Sequence, residues 1–231
     1  ATLAPYYREF GLDAEAVPPG PGRRAFGAEE AELLSEFEPP VVSFHFGLPS
    51  AELLARVRRW GAKLLASATT VDEARWLEDH GVDAVIAQGL EAGGLSAQLG
   101  TFALLPQVVR AVRVPVIAAG GIADAQGVAA ALALGAAGVQ VGTAYLLCPE
   151  ATTSALHRAA LQSDAARHTA LTRLFTGRPA RGIVNRVMRE LGPMNPAAPE
   201  FPLATAAIAP LRAHAEKQGS GDFSPLWSGQ N

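Results

Sequence analysis

The 231 residues suffice for one sizeable α/β domain or two small ones. A hydrophobic share of 49% with 18% charged residues argues for a buried core and against wholesale disorder. The balance of 19 Lys+Arg against 22 Asp+Glu leaves no basic excess for counterion release, which argues against a nucleic-acid partner. A single cysteine, Cys148, excludes an intrachain disulfide and a cysteine-cluster metal site and fits a reducing compartment. No apolar run approaches the roughly 20 residues needed to span a bilayer, and ATLAPYYREF lacks the order of a signal peptide. The expectation is a cytoplasmic protein with no membrane or metal partner.

Three segments are expected: 1–40, 41–146 and 147–231. In the first, Glu29–Phe37 reads as a helix after a Pro/Gly/Arg loop, Val17–Arg24. The second alternates short apolar, β-branched runs with amphipathic stretches. Strands are expected at Val41–Phe46, Ala62–Ser67, Asp83–Gln88, Pro115–Ala119 and Gly138–Gly142. Helices are expected at Ser50–Trp60, Val71–His80, Pro106–Val112 and Ala125–Leu134, with Gly61, Gly81 and Gly135 as stop signals. The strands begin roughly 20 to 30 residues apart, the length of a βα unit, so they should be parallel with right-handed crossovers. Five are readable where a closed (β/α)8 barrel needs eight. In the third segment, Ala155–Gln162, Ala165–Phe175 and Ala204–Gln218 read as helices, and Thr176–Arg186 as a loop. The aperiodic tail GSGDFSPLWSGQN carries Phe223 and Trp227, two large apolar side chains that suggest docking.

In parallel α/β proteins the C-terminal strand ends face the ligand. Here those ends read His45-Phe46-Gly47, Ser67-Ala68-Thr69-Thr70, Gln88-Gly89, Gly120-Gly121 and Gly142-Thr143, polar or glycine after apolar strand bodies. Glycine pairs let the backbone approach a ligand and expose amides. Gly120-Gly121 in AAGGIAD and Gln140-Val141-Gly142-Thr143 therefore read as a phosphate cradle, helped by a helix starting near Asp124. Tight βα turns without a ligand are the plain alternative. By strand alternation His45 shares a face with Ser43, opposite Val42, Phe44 and Phe46, and is aimed at the ligand side or held as a bonded core histidine. Gln88 suits a ring edge or merely ends its strand. Glu91 is a general base or a surface charge. Lys63 sits at the wrong strand end for chemistry. His80, His157, His168 and His214 are expected in solvent, and the arginines of GRPARGIVNR grip an anion or a neighbouring subunit or, on the plainer reading, belong to a solvated loop.

The stretches VVSFHFGLP, GAKLLASATTVDEARWLEDHGVDAVIAQGLEAGG, QLGTFALLPQVVRAVRVPVIAAGGIADAQGVAAALALGAAGVQVGTAYL and FTGRPARGIVNR resemble the nitronate monooxygenase (2-nitropropane dioxygenase) family, from about Pro39 to Arg186. The resemblance implies an α/β (β/α)8 TIM barrel, followed here by a C-terminal helical segment. It implies FMN as cofactor and oxidation of alkyl nitronates such as propionate 3-nitronate by O2, giving a carbonyl compound and nitrite. Flavin contacts would fall on Gln88, Gly93, Gly94, Gly120, Gly121, Gln140, Val141, Gly142 and Thr143. His45 matches a histidine of the nitronate-oxidising branch and is the catalytic candidate. The expected partners are a small nitronate and O2, with a homodimer as the assembly to test.

Two features depart from the family pattern. The early strands with a Gln-Ala-Pro-Met-type segment and an asparagine are absent, and EAGG is followed by Leu95 where the family carries a histidine. This suggests a longer protein from which segments at the start and after Gly94 are missing. The chain is also similar to flavin-dependent NAD(P)H:quinone and enoyl reductases, and a non-catalytic FMN- or phosphate-binding remnant is the third reading.

Overall fold

A computed structural model describes residues 2–15, 24–92 and 97–230. In chain order they form α1 (Ala4–Glu9), α2 (Ala28–Phe37), β1 (Val41–Phe44), α3 (Ala51–Arg58), β2 (Lys63–Ala68), α4 (Val71–Asp79) and β3 (Ala84–Gln88). There follow α5 (Thr101–Ala111), β4 (Val116–Ala119), α6 (Ala125–Ala133) and β5 (Gly138–Gln140). The rest comprises α7 (Ala155–Leu161), β6 (Thr169–Thr172), β7 (Ala180–Ile183), α8 (Arg186–Leu191) and α9 (Leu203–Lys217), with 3-10 turns at Thr143–Leu147 and Asp164–Arg167. The chain divides into two compact units: residues 24–91 with 97–141, and the N-terminal residues with 142–230. These packing units differ from the three segments expected, because α2 packs with the first strands and α1 with the C-terminal half. The Phe26 ring meets Phe44 edge-on at 5.2 Å, which ties the approach to α2 onto β1.

In the first unit, β1 to β5 form one parallel sheet in sequential order. A doubly wound sheet reverses strand order at a switch point, whereas a (β/α)8 barrel never does. The unreversed order is that of five successive barrel strands. Successive right-handed crossovers in one direction put α3 to α6 on one face. Val42, Phe44, Leu64, Ala66, Ala68, Val85, Ala87, Val116 and Ala118 supply the core on that face. The opposite face carries Ser43, Leu65, Ser67, Ile86, Gln88, Ile117 and Ala119. Small residues such as Ala66, Ala68 and Ala118 allow close helix approach, which explains the low aromatic content. Gly61, Gly81 and Gly135 have φ of 82°, 80° and 98°, the left-handed stops expected after each helix.

Strand β1 ends at Phe44 rather than Phe46, because Phe46 (φ 66°) and Gly47 (φ 96°) turn left-handed. Phe46 is accordingly 55% exposed and does not join Val42 and Phe44 against the helices. Helix α5 starts at Thr101, ahead of the expected Pro106, which lies inside it. Proline removes one amide bond but does not forbid a helix already nucleated upstream. Here the Glu91 carboxylate accepts from the Thr101 amide at 2.8 Å and anchors that earlier start.

The second unit corrects the reading of Ala165–Phe175 as a helix. Asp164–Arg167 is a 3-10 turn, and Thr169–Thr172 pairs antiparallel with Ala180–Ile183, inside the expected loop. The tail adds to this hairpin: Trp227 bridges Gly182, and the Ile183 amide donates to Leu226 O at 2.8 Å. Pairing with Ala180–Ile183, itself backed by tail residues more than 40 positions further on, thus overrides the local helical pattern. Phe223 is fully buried, with its ring 5.2 Å from Tyr6 and 5.4 Å from Phe10, so the tail docks as expected. Arg186 holds Glu9 through two bonds of 2.8 and 2.7 Å, fixing α8 to α1, and Arg181 is buried. Arg181 and Arg186 are therefore structural, contrary to the expected solvated loop, whereas Arg178 is exposed, with its guanidinium 4.7 Å over the Phe201 ring. No helix among the described residues is long and apolar enough to cross a membrane.

Candidate active site

The strand ends of the first unit bring several expected residues to one edge of the sheet. Register pairs Gln88 with Ala119 and Ala119 with Gln140. Residues in parallel register share a face, so Gln88 and Gln140 flank Ala119 on the face away from the helices. Ser67 lies on the same face, paired with Ile86. His45 follows β1 there, and its Nδ1 stands 2.7 Å from Ser67 Oγ.

His45 is exposed as a residue, yet neighbouring groups withdraw part of its ring from water, and this desolvation lowers its pKa. The neutral imidazole is favoured near pH 7. With Nδ1 engaged by Ser67, Nε2 is the ring nitrogen without a partner among the described residues. Gln88 is 6% exposed, and its side-chain amide makes no hydrogen bond to the described residues. The amide is not among the buried unpartnered groups of the described residues, so its polar end keeps access to water at the sheet edge and can exchange that water for a ligand. That is a position suited to the polar edge of a ring.

The glycine pair at the end of β4 is fully left-handed, with φ of 107° at Gly120 and 68° at Gly121. No L side chain adopts these angles without strain. Neither amide donates to a described protein acceptor. The helix behind them contributes less than expected: the Asp124 side chain caps α6 and takes the Gly127 amide at 2.8 Å. Loop amides, rather than the helix end, carry the free donor capacity. Gly142 has an ordinary negative φ of −108°, and a Cβ there would touch nothing, so neither conformation nor packing demands glycine. In the second unit, Thr143 Oγ1 accepts from the Gly229 amide at 2.9 Å, which ties the tail to the turn after Gly142. Gly93, Gly94 and Leu95 lie outside the described residues.

Other candidates resolve into structural roles. Glu91 accepts from the Thr101 amide and hydroxyl, so it is neither a free surface charge nor an available base. Lys63 pairs with Asp83 at 2.9 Å. His157 is half-buried with Nε2 2.9 Å from Trp227 O, and His214 stacks on Phe10 at 4.6 Å, so neither is simply solvated. Thr101 is not legible in the sequence because its hydroxyl partners, at the ends of β3 and β4, meet it only in the folded sheet.

The nitronate monooxygenase family model matches residues 22–231. The chain belongs to the nitronate monooxygenase family. The nitronate monooxygenase of Paraburkholderia phytofirmans is 42% identical over 99% of this chain and 65% of its own length. That of Pseudomonas aeruginosa is 40% identical over 99% of this chain and 68% of its own length. The chain thus spans about two thirds of the length of these relatives. A solved structure of nitroalkane oxidase from Streptomyces ansochromogenes superposes with a TM-score of 0.86 at 42% identity, covering 99% of this chain and 68% of that one. FabK from Thermotoga maritima gives 0.74 at 33% identity, over 87% of this chain and 64% of that one. The family match spans the sheet and its strand-end residues, so the nitronate monooxygenase likeness is not confined to one motif.

Proposed function

We propose that this chain is the flavin-binding part of an enzyme that oxidises small alkyl nitronates with O2, giving a carbonyl compound and nitrite. FMN is the cofactor of this reading. Its phosphate would be held by the Gly120 and Gly121 amides and by Gln140, Val141, Gly142 and Thr143, and Gln88 would meet the ring. Gly93 and Gly94 belong to the same proposed set by family resemblance. The observation that carries the reading is the meeting of two needs at one sheet edge. Two free amides want an anion, and a glutamine amide without a described protein partner can take the polar edge of a ring. When bound, the flavin supplies electron acceptance from the substrate and transfer to O2.

The chain's own residues then do modest work. His45 Nε2 would bind or orient the nitronate oxygens while Ser67 holds Nδ1. The glycine loop would bind the cofactor's charged tail and leave the sheet edge open for substrate.

Nitrite release and O2 consumption by the FMN-loaded chain on propionate 3-nitronate test the proposal. The reading expects both without any nicotinamide. The resemblance to FabK favours one competing reading, an NAD(P)H-dependent reductase. Rapid anaerobic loss of flavin absorbance with NADH, and none with the nitronate, would support that instead.

A further inference from the structure

Two adjacent carbonyls at the end of β4 point to one place. Ala119 O accepts from the Gly89 amide at 2.9 Å and lies 3.2 Å from Thr101 Oγ1. Gly120 O lies 2.9 Å from the same hydroxyl. In a regular strand successive carbonyls point to opposite sides. The left-handed Gly120, φ 107°, swings the second one round to join the first.

A trans peptide holds its C=O and N–H antiparallel. Two carbonyls converging on Thr101 therefore turn the amides of Gly120 and Gly121 away from it, as neighbours. Two successive amides on that side, neither with a described acceptor, can each donate to a different oxygen of a phosphate.

Thr101 is itself held in place. It is 9% exposed, and Glu91 receives its amide at 3.0 and 2.8 Å and its hydroxyl at 2.9 Å. The hydroxyl has one proton, so its donation is shared among Glu91, Ala119 O and Gly120 O. The surroundings are cleared for this arrangement. A Cβ on Gly89 would overlap Thr101 Oγ1, and one on Gly100 would come within 2.8 Å of Glu91 Oε1.

We infer that Thr101, braced by Glu91, is a positioning residue for phosphate recognition. It touches no ligand; it sets two consecutive peptide planes so that the Gly120 and Gly121 amides face a phosphate dianion. The inference rests on the flavin reading above and adds to it the residue that shapes the cradle.

The test compares dissociation constants of FMN and riboflavin, which differ only in the phosphate. They are measured on the 231-residue chain and on Thr101→Val and Thr101→Ser variants. The unmodified chain should prefer FMN. Thr101→Val should lose about tenfold or more in FMN affinity with riboflavin affinity little changed, and Thr101→Ser should restore the preference. A merely structural role would weaken both ligands equally, and that result, or an unchanged preference in Thr101→Val, would overturn the inference. Should Thr101→Val not fold, Glu91→Gln carries the same comparison, with a reduced preference expected and an unchanged one decisive against it. An unmodified chain that binds both flavins alike would remove the phosphate reading itself, and the inference with it.

Discussion

Ser67 Oγ stands 2.7 Å from His45 Nδ1, across the first two strands of the parallel sheet. The bond lies on the face turned away from the helices, and it leaves Nε2 as the imidazole nitrogen for the substrate contact proposed above. Ser67→Ala should therefore lower kcat/KM for a nitronate by about tenfold, the scale of losing a partner that orients a ligating histidine. FMN affinity should not move, because Ser67 lies outside the cradle. Steady-state kinetics beside a flavin titration separate the two effects.

Gln88→Leu should weaken flavin binding by about tenfold while leaving the melting temperature unchanged or slightly raised. The side chain is sequestered, yet its amide bonds to no described residue, so removing it costs the apo protein nothing. A drop in melting temperature would assign Gln88 a structural role instead.

Gly121→Val should abolish flavin retention. Its φ of 68° is left-handed, and a β-branched residue there costs about 1–3 kcal/mol or moves the peptide. Either response displaces an amide of the proposed cradle. A variant purified yellow, with a full complement of flavin, would contradict this.

Much of this was legible in the sequence, for identifiable reasons. The five strands, their parallel order and the glycine stops follow from periodicity and punctuation, which are local. The ends of β2, β3 and β4 were legible too, since polar residues after apolar runs mark them, whereas β1 and β5 stop at Phe44 and Gln140, before the expected Phe46 and Gly142. Thr169–Thr172 was not, because its strand partner is Ala180–Ile183, itself backed by the tail at Trp227, and local pattern favours a helix. Thr101 was hidden for the same reason: its hydroxyl is defined by oxygens of Glu91, Ala119 and Gly120. Glu91 read as an open question, and only the fold shows its carboxylate committed to the start of α5.

Acid should destabilise the apo protein before its carboxylates titrate. Burial lowers the pKa of His157, aided by nearby Arg212 and opposed by the bond to Trp227 O, and desolvation lowers that of His45. A histidine depressed in the folded state favours the unfolded chain once protons are taken up. Stability present above the usual histidine pKa of about 6.5 is thus lost as pH falls through the folded values. The urea midpoint should fall between pH 7 and pH 5, and His157→Gln should flatten that slope. Glu9, Glu30, Asp83, Glu190 and Glu216, all with lowered pKa, add their losses only at lower pH.

Phe223→Ala should cost about 3–5 kcal/mol in urea unfolding, the usual range for truncating a fully buried aromatic. The ring packs between Tyr6 and Phe10 and anchors the tail. A loss under about 1 kcal/mol would mean that the tail is held mainly by its backbone bonds to β7.

The cradle itself can be watched directly by following the Gly120 and Gly121 amides in 1H–15N correlation spectra of the labelled chain during titration with FMN and with riboflavin. Both amide protons should move downfield with FMN and stay nearly fixed with riboflavin, as expected for donors that meet only the phosphate. Binding of FMN with both resonances unmoved, or moved alike by the two flavins, would contradict the account.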